Sequence, residues 1–424
     1  MKTPFLLTLT CVSYIHAKLS PAGSIRDAHK ADKPEGVPSL GVPQSIQQTW
    51  AMFSPYYPAA PYTKPPPGCT IDQVHILQRH GARYPTSGVG KHIKAAIKKL
   101  QSVGNYTDPN LAFLKDYKYD LHKNGNLVPF GAAQSFESGQ EAFTRYGSLV
   151  SKNDQPFVRA SSSDRVVDSA TNWTAVVTIT GLSSPSSFQN RARIVYRTPP
   201  NRAQANDTLD NAMCKAAGSS DAQSDQWLAT FAPPLTARLN AGAPGANLTN
   251  KDTDSLLAMC ALDTVAHERP SPFCTLYEEL DGAGPGFAYL GDLDKYYGTG
   301  YGQPLGPVQG VGYVNELLAR LTGAPVRDHT QTNATLDEDP KTFPRGRAMT
   351  WRTERMVPFS ARMVTERLKC AGGKQSVRVL VNDAVMPLEF CGAAGNGVCS
   401  LDAFVESQAY ARNDGEGDWE KCFE

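Results

Sequence analysis

Val74, Ile76 and Leu77 form a short apolar run bracketed by polar residues, and the pattern predicts a buried strand over about 72–78. A different spacing follows. Ile93, Ala96, Ile97 and Leu100 recur every three or four residues, with Lys94, Lys98 and Lys99 between them, which predicts a helix with one apolar face. Phe157-Val158-Arg159-Ala160-Ser161 reads as a second short strand, and Asp164-Arg165-Val166 opens a helix running through Ser169-Ala170. From about 205 to 304 the apolar residues gather into short helices broken at Ala232-Pro233-Pro234, Pro244-Gly245 and Gly282 to Gly286, a mainly helical insertion. Asn250-Lys251-Asp252 suits the cap of the helix that carries Leu256, Leu257 and Cys260. Val314, Leu317, Leu318 and Leu321 make an amphipathic helix stopped by Gly323. Met363, Val364, Arg367 and Leu368 keep the helical spacing and predict another helix, ending near Cys370 and Gly372-Gly373. Val377 to Val381, Asn382-Asp383 and Ala384 to Met386 read as a hairpin.

Composition narrows the class. The chain has 424 residues, 41% of them hydrophobic and 20% charged, which suits a globular enzyme with a sizeable core. Its net charge of +1, without a basic stripe, argues against nucleic acid as a partner. Met1 to Val12 gives a positive start and an apolar stretch, and Ile15-His16-Ala17 offers a small residue for cleavage, so 1–17 reads as a secretory signal peptide. A buried N-terminal helix is the competing reading. No later run is long enough to span a membrane as a helix. Residues 18–68, rich in Pro, Ser, Ala and Gly, read as an extended lead-in.

Cysteine usage fits secretion. Cys11 falls in the leader, leaving Cys69, Cys214, Cys260, Cys274, Cys370, Cys391, Cys399 and Cys422. An even number in a secreted chain suggests four disulfides, with 105 connectivities open and free buried thiols as the alternative. Sequons at Asn105, Asn172, Asn206, Asn247 and Asn333 add the expectation of an extracellular glycoprotein.

The densest chemistry lies in Arg79-His80-Gly81-Ala82-Arg83-Tyr84-Pro85, at the carboxyl end of the first strand. A histidine can attack phosphorus, and guanidinium groups match phosphate oxygens in shape and charge. Arg79 and Arg83 would neutralise a phosphate dianion and hold the His80 pKa below its ordinary ~6.5. Gly81 and Ala82 would let the backbone approach the phosphate. Lys91, Lys94 and Lys295 are candidate contacts for further phosphates of a small anionic substrate.

This segment matches the Arg-His-Gly-x-Arg-x-Pro signature of the histidine acid phosphatases, and the chain from about residue 45 onward resembles their secreted fungal phytase branch. Phe157 to Ser161, Phe231 to Leu239, Lys295-Tyr296-Tyr297-Gly298, Pro304 to Pro307 and Val314 to Leu317 carry that resemblance, and Ala403 to Gly415 is similar to basidiomycete members. The resemblance implies an α/β fold with a central sheet flanked by helices (69–204 and 305–424) and a smaller helical domain (205–304). It implies His80 as nucleophile, forming a phosphohistidine, with Arg79, Arg83 and Arg159 on the phosphate. It also implies the pairs Cys69–Cys370, Cys214–Cys422, Cys260–Cys274 and Cys391–Cys399. The substrate class would be phytate or other phosphomonoesters, acted on by a secreted monomer without metal or cofactor.

One part of the pattern is missing. The family's His-Asp motif, which supplies a phosphate-binding histidine and the acid that protonates the leaving group, belongs between Thr342-Phe343-Pro344 and Val357-Pro358-Phe359. Only Arg345 to Met356 lie there, and they contain neither residue. Asp328, Glu354 and Asp383 read as ordinary solvated acids, so no general acid is assigned. The expectation is a phytase-like enzyme with one central strand lost and turnover impaired. The alternative is a secreted glycoprotein that binds phosphate or inositol phosphates without efficient turnover.

Overall fold

The computed structural model describes residues 6–8, 39–151, 156–161, 163–179, 214, 216–325, 353–393 and 395–424. Asn206, Asn333, Asp328 and the Pro344–Trp351 junction lie outside the described residues, as does most of the leader. In chain order the main elements are β1 (Leu6–Thr8), β2 (Cys69–Gln78), α1 (Ser87–Gln101), α2 (Pro129–Tyr146), β3 (Phe157–Arg159) and α3 (Asp164–Ile179). They continue with α4 (Asp221–Gly242), α5 (Asn250–His267), α6 (Ala283–Gly298), α7 (Val308–Thr322), β4 (Arg362–Cys370), β5 (Gln375–Val381), β6 (Ala384–Val385) and β7 (Cys399–Ser400).

The strands build one mixed sheet in the order β3-β1-β2-β4-β5-β6, with β7 also on β5. β1 runs parallel to β2 and β3, while β4 runs antiparallel to both of its neighbours, β2 and β5. Val74, Ile76, Val158, Val364 and Leu380 pack on one face with Trp173 and Tyr146 of the helices. Val377 and Val379 point to the other face, against Val314, Leu317 and Leu321 of α7. Helices therefore cover both faces, as a sheet with buried strands requires.

The predicted helix at 363–368 is strand β4 instead. Its Thr365 and Glu366 are 0% exposed, so both faces are buried and no polar face marks the period. Glu366 is tolerated there because Arg378, Tyr146 (2.8 Å) and Tyr62 (3.1 Å) hydrogen-bond its carboxylate. The hairpin at 382–383 forms as expected, with φ of 48° at Asn382 and 71° at Asp383, the pair of positive values a two-residue turn needs.

Two further corrections concern the helical part. Pro233 and Pro234 do not break α4, which passes through both. Helix-interior proline costs about 3 kcal/mol, and burial of Leu228, Ala232, Leu235 and Leu239 on one stripe offsets it. Thr249, not Asn250, caps α5, in a capping box with Asp252, whose carboxylate also binds Lys99 of α1 at 2.6 Å. Within 39–68 the chain is more ordered than a simple lead-in: Gln44–Gln47 is helical and Trp50 is 0% exposed.

All four disulfides join the pairs implied by the resemblance: Cys69–Cys370, Cys214–Cys422, Cys260–Cys274 and Cys391–Cys399. No described helix is long and apolar enough to cross a membrane.

Candidate active site: a cluster of guanidiniums around His80

The loop after β2 is clamped from three directions. Gly81 N–H donates to Ser169 Oγ of α3 at 2.9 Å, and Ala82 N–H donates to Gln134 Oε1 of α2 at 2.9 Å. Ser360 N–H donates to the His80 carbonyl at 3.1 Å. Gly81 is required by packing rather than by room for a ligand. A Cβ there would lie 2.1 Å from the Gly131 carbonyl oxygen, and one on Gly131 would lie 2.0 Å from that of Ala82. The loop and the first turn of α2 interlock backbone to backbone.

Beneath the loop a polar chain fixes the end of β2. Ser138 Oγ donates to Gln78 Oε1 at 2.6 Å, and Arg362 donates to Ser138 at 2.6 Å. Arg79 extends Nη1 to the carbonyls of Met52 (2.6 Å) and Val357 (2.5 Å), with its guanidinium carbon 4.8 Å from the Phe359 ring centroid.

His80 Nδ1 lies 2.8 Å from the Gly81 carbonyl oxygen. A carbonyl only accepts, so Nδ1 carries the proton and Nε2 keeps its lone pair. Burial, then the Arg79 charge, then Arg83 and Arg165, push the imidazole well below its ordinary range, against the Gly81 bond. The ring is therefore neutral, with a nucleophilic nitrogen. Burial outranks the arginine charges, which were the one cause the sequence suggested.

Arg79 is pushed down to about 9 by burial, then by Arg83 and Arg165. Arg83 is pushed down to about 10 by burial and then by Arg165. Among the described residues no carboxylate forms an ion pair with Arg79 or Arg83, and Arg83 Nε is buried without a hydrogen-bond partner. Cations left in this state demand an anion.

Arg165 was read only as part of a helix start, and the structure adds it as the third guanidinium acting on His80. Arg159 goes the other way. Its guanidinium is on Glu316 of α7, both nearly fully buried, although it was expected on the phosphate. Glu316 also takes Arg320 at 2.9 Å. Despite burial, the two arginines hold its carboxyl below the usual range, so it is ionised and has no proton to give.

Lys91 and Lys94 line a depression of about 330 Å³ beside Pro85 and Thr86, with Lys94 Nζ 5.3 Å from the Tyr119 ring. Lys295 is not in that group and pairs with Asp294 at 2.7 Å. Asp383, read as solvated, is buried in an ion pair with Arg145 at 2.5 Å. Glu354, also read as solvated, is half-buried on the short helix Thr353–Met356. Among the described carboxylates the one raised is Asp254 of α5, pushed up to about 6 by burial, then by Asp294. Asn105 and Asn247 are exposed sequons, whereas Asn172 is half-buried within α3 and donates its amide to the Asp168 carbonyl at 2.8 Å.

Comparison with known proteins agrees with this geometry. Residues 70–349 match the histidine phosphatase superfamily, branch 2. The chain is 35% identical to Phytase A of Aspergillus oryzae, covering 89% of this chain and 91% of that one. It is 33% identical to Phytase A of Emericella nidulans, covering 99% of both. The phytase structure from D. castellii superposes with a TM-score of 0.67 at 21% identity, over 95% of this chain and 91% of that one. The multiple inositol polyphosphate phosphatase of Bifidobacterium longum, in complex with inositol hexasulfate, gives 0.53 at 17% identity, over 84% and 96%. These likenesses establish the fold, and the sequence matches establish the family. The chain belongs to branch 2 of the histidine phosphatase superfamily and is by family a phosphoric monoester hydrolase.

Proposed function

We propose that the chain is a secreted phytase-type phosphatase in which His80 Nε2 attacks phosphorus and Arg79, Arg83 and Arg165 hold the phosphoryl oxygens. The carrying observation is the neutral imidazole, its Nδ1 tied to Gly81, beside Arg79 and Arg83, which have no carboxylate ion pair among the described residues. In the first step the Nε2–P bond forms and the ester P–O bond breaks, leaving phosphohistidine and an alkoxide. Water then attacks phosphorus, and the phosphate departs from nitrogen. The Phytase A relatives support inositol phosphates as the substrate class, and the four disulfides support an oxidising compartment. Arg159 joins the phosphate ligands in this reading only by exchanging Glu316 for phosphate.

The alkoxide needs a proton. No described carboxylate near His80 is tuned to supply one, which favours an impaired enzyme. A missing general acid costs about 10²–10⁴-fold, but only for leaving groups that need protonation. Sequencing transcripts across Pro344–Trp351 tests whether the loss is a splicing event. Messages lacking the segment throughout would exclude that origin.

Turnover of p-nitrophenyl phosphate, whose leaving group needs no proton, tests the chemistry. The expected result is rapid aryl ester hydrolysis with phytate slower by about 10²–10⁴-fold than the aryl ester. Equal rates on both would contradict the impairment. Phosphate binding without aryl ester turnover would favour the binding-protein reading.

A further inference from the structure

The peptide group that joins Gly81 to Ala82 is held from two sides. Its carbonyl accepts from His80 Nδ1 at 2.8 Å, and its N–H donates to Gln134 Oε1 of α2 at 2.9 Å. Among the described residues no peptide bond is cis, so this group is planar with its C=O and N–H pointing opposite ways. Fixing the direction of the N–H therefore fixes that of the C=O. We propose that Gln134 is a positioning residue for the phosphoryl transfer: by anchoring the Ala82 N–H it aims the Gly81 carbonyl at Nδ1, and so keeps the lone pair on Nε2. The inference rests on the reading of His80 as the nucleophile.

Three observations carry the proposal. The other anchors of the loop act one peptide earlier: Ser169 takes the Gly81 N–H, and Ser360 donates to the His80 carbonyl. Neither fixes the group that His80 itself binds. Next, α2 grips Ala82 at both of its polar atoms, because Val128 N–H donates to the Ala82 carbonyl at 3.0 Å. Gly131 lets the two backbones meet, and Gln134 stands about one turn further along the same helix. Finally, Gln134 is 3% exposed and its Nε2 is buried without a hydrogen-bond partner. Burying an amide with its donors unsatisfied is unfavourable, so packing alone does not account for the side chain, and the bond it does make runs to Ala82.

An amide suits this task better than a carboxylate. A carboxylate would offer the same oxygen, but its charge one peptide away from the ring would favour the imidazolium over the neutral nucleophile. It would also compete with phosphate for the nearby guanidiniums. Glutamine orients the ring while adding no charge to the cradle.

Spectra of the full chain carrying ¹⁵N-labelled histidine, taken near neutral pH, test this by reporting which ring nitrogen is protonated. The His80 signals are assigned by their loss in His80→Asn. The wild type and Gln134→Glu, which keeps an oxygen at the same reach, are expected to show Nδ1–H. Gln134→Met, which removes the acceptor, and Gln134→Asn, which withdraws it by one methylene, are expected to show mixed tautomers. Their kcat on p-nitrophenyl phosphate should fall at least about tenfold, with inhibition by inorganic phosphate unchanged within about twofold. A residue that only packs would lower the melting temperature and leave the tautomer as it is. If Gln134→Met does not fold, Gln134→Asn decides. Nδ1–H in these variants as in the wild type would overturn the proposal and leave His80 as nucleophile, whereas Nε2–H in the wild type would overturn both. If the wild type turns over no aryl ester, the reading of function fails and the spectra still decide what Gln134 does.

Discussion

Two regions of this molecule bury arginines, and they treat them in opposite ways. Around the sheet, Arg378 meets Glu366, Arg362 meets Glu141, Arg145 meets Asp383, and Arg159 and Arg320 share Glu316. At the end of β2, Arg79 and Arg83 have no carboxylate partner among the described residues, and with Arg165 they crowd a neutral histidine. Burial lowers Arg145 and Arg79 alike. Asp383 and Glu141 then bring Arg145 above its ordinary value, whereas the arginine neighbours bring Arg79 lower still. A paired buried cation holds the fold together, and an unpaired one holds a place for an anion. Arg159 was expected in the second group and stands in the first.

Substitutions should separate the groups. The largest effect is expected from Glu366→Ala, which strands Arg378 in the sheet and should cost about 3–5 kcal/mol in urea unfolding. Arg83→Ala should instead leave stability level or higher while weakening phosphate binding by about 2–5 kcal/mol, read by calorimetry. Equal destabilisation by both would dissolve the distinction. Glu316→Gln lies between them: it should destabilise, and by releasing Arg159 it should tighten phosphate binding. Unchanged affinity there would place Arg159 outside the site for good. Gly81→Ala should cost about 1–3 kcal/mol through overpacking against Gly131, seen as a lower melting temperature.

The smallest effect concerns pH. His80 has a folded pKa below its ordinary 6.5, so the unfolded chain binds the extra proton first. Its contribution to stability is complete above that value and falls as pH drops below it. His80→Asn should flatten that part of the stability profile, and an unchanged slope would mean that His80 is not held neutral.

Local chemistry was legible in the sequence, and long-range pairing was not. The signature at Arg79–Pro85, the stripes of α1 and α7, and the Asn382-Asp383 turn depend on neighbours a few residues away. β4 was misread because burial on both faces removes the alternation that distinguishes strand from helix. α4 was misread because its prolines are outweighed by a stripe that extends past them. Arg159 could not be placed because its partner Glu316 is 157 residues away. Arg165 left one readable signal, a cation in the first turn of the helix after β3, but its relevance depends on Ser169 of that helix holding Gly81.

The central claim is that His80, beside the guanidiniums of Arg79 and Arg83, takes the phosphoryl group. The most direct test is to react the full chain with ³²P-labelled p-nitrophenyl phosphate, quench in alkali to preserve phosphohistidine, digest, and locate the label. The account predicts label on the peptide containing His80, and none after His80→Ala. Label on another residue, or none from a chain that still binds phosphate, would contradict it.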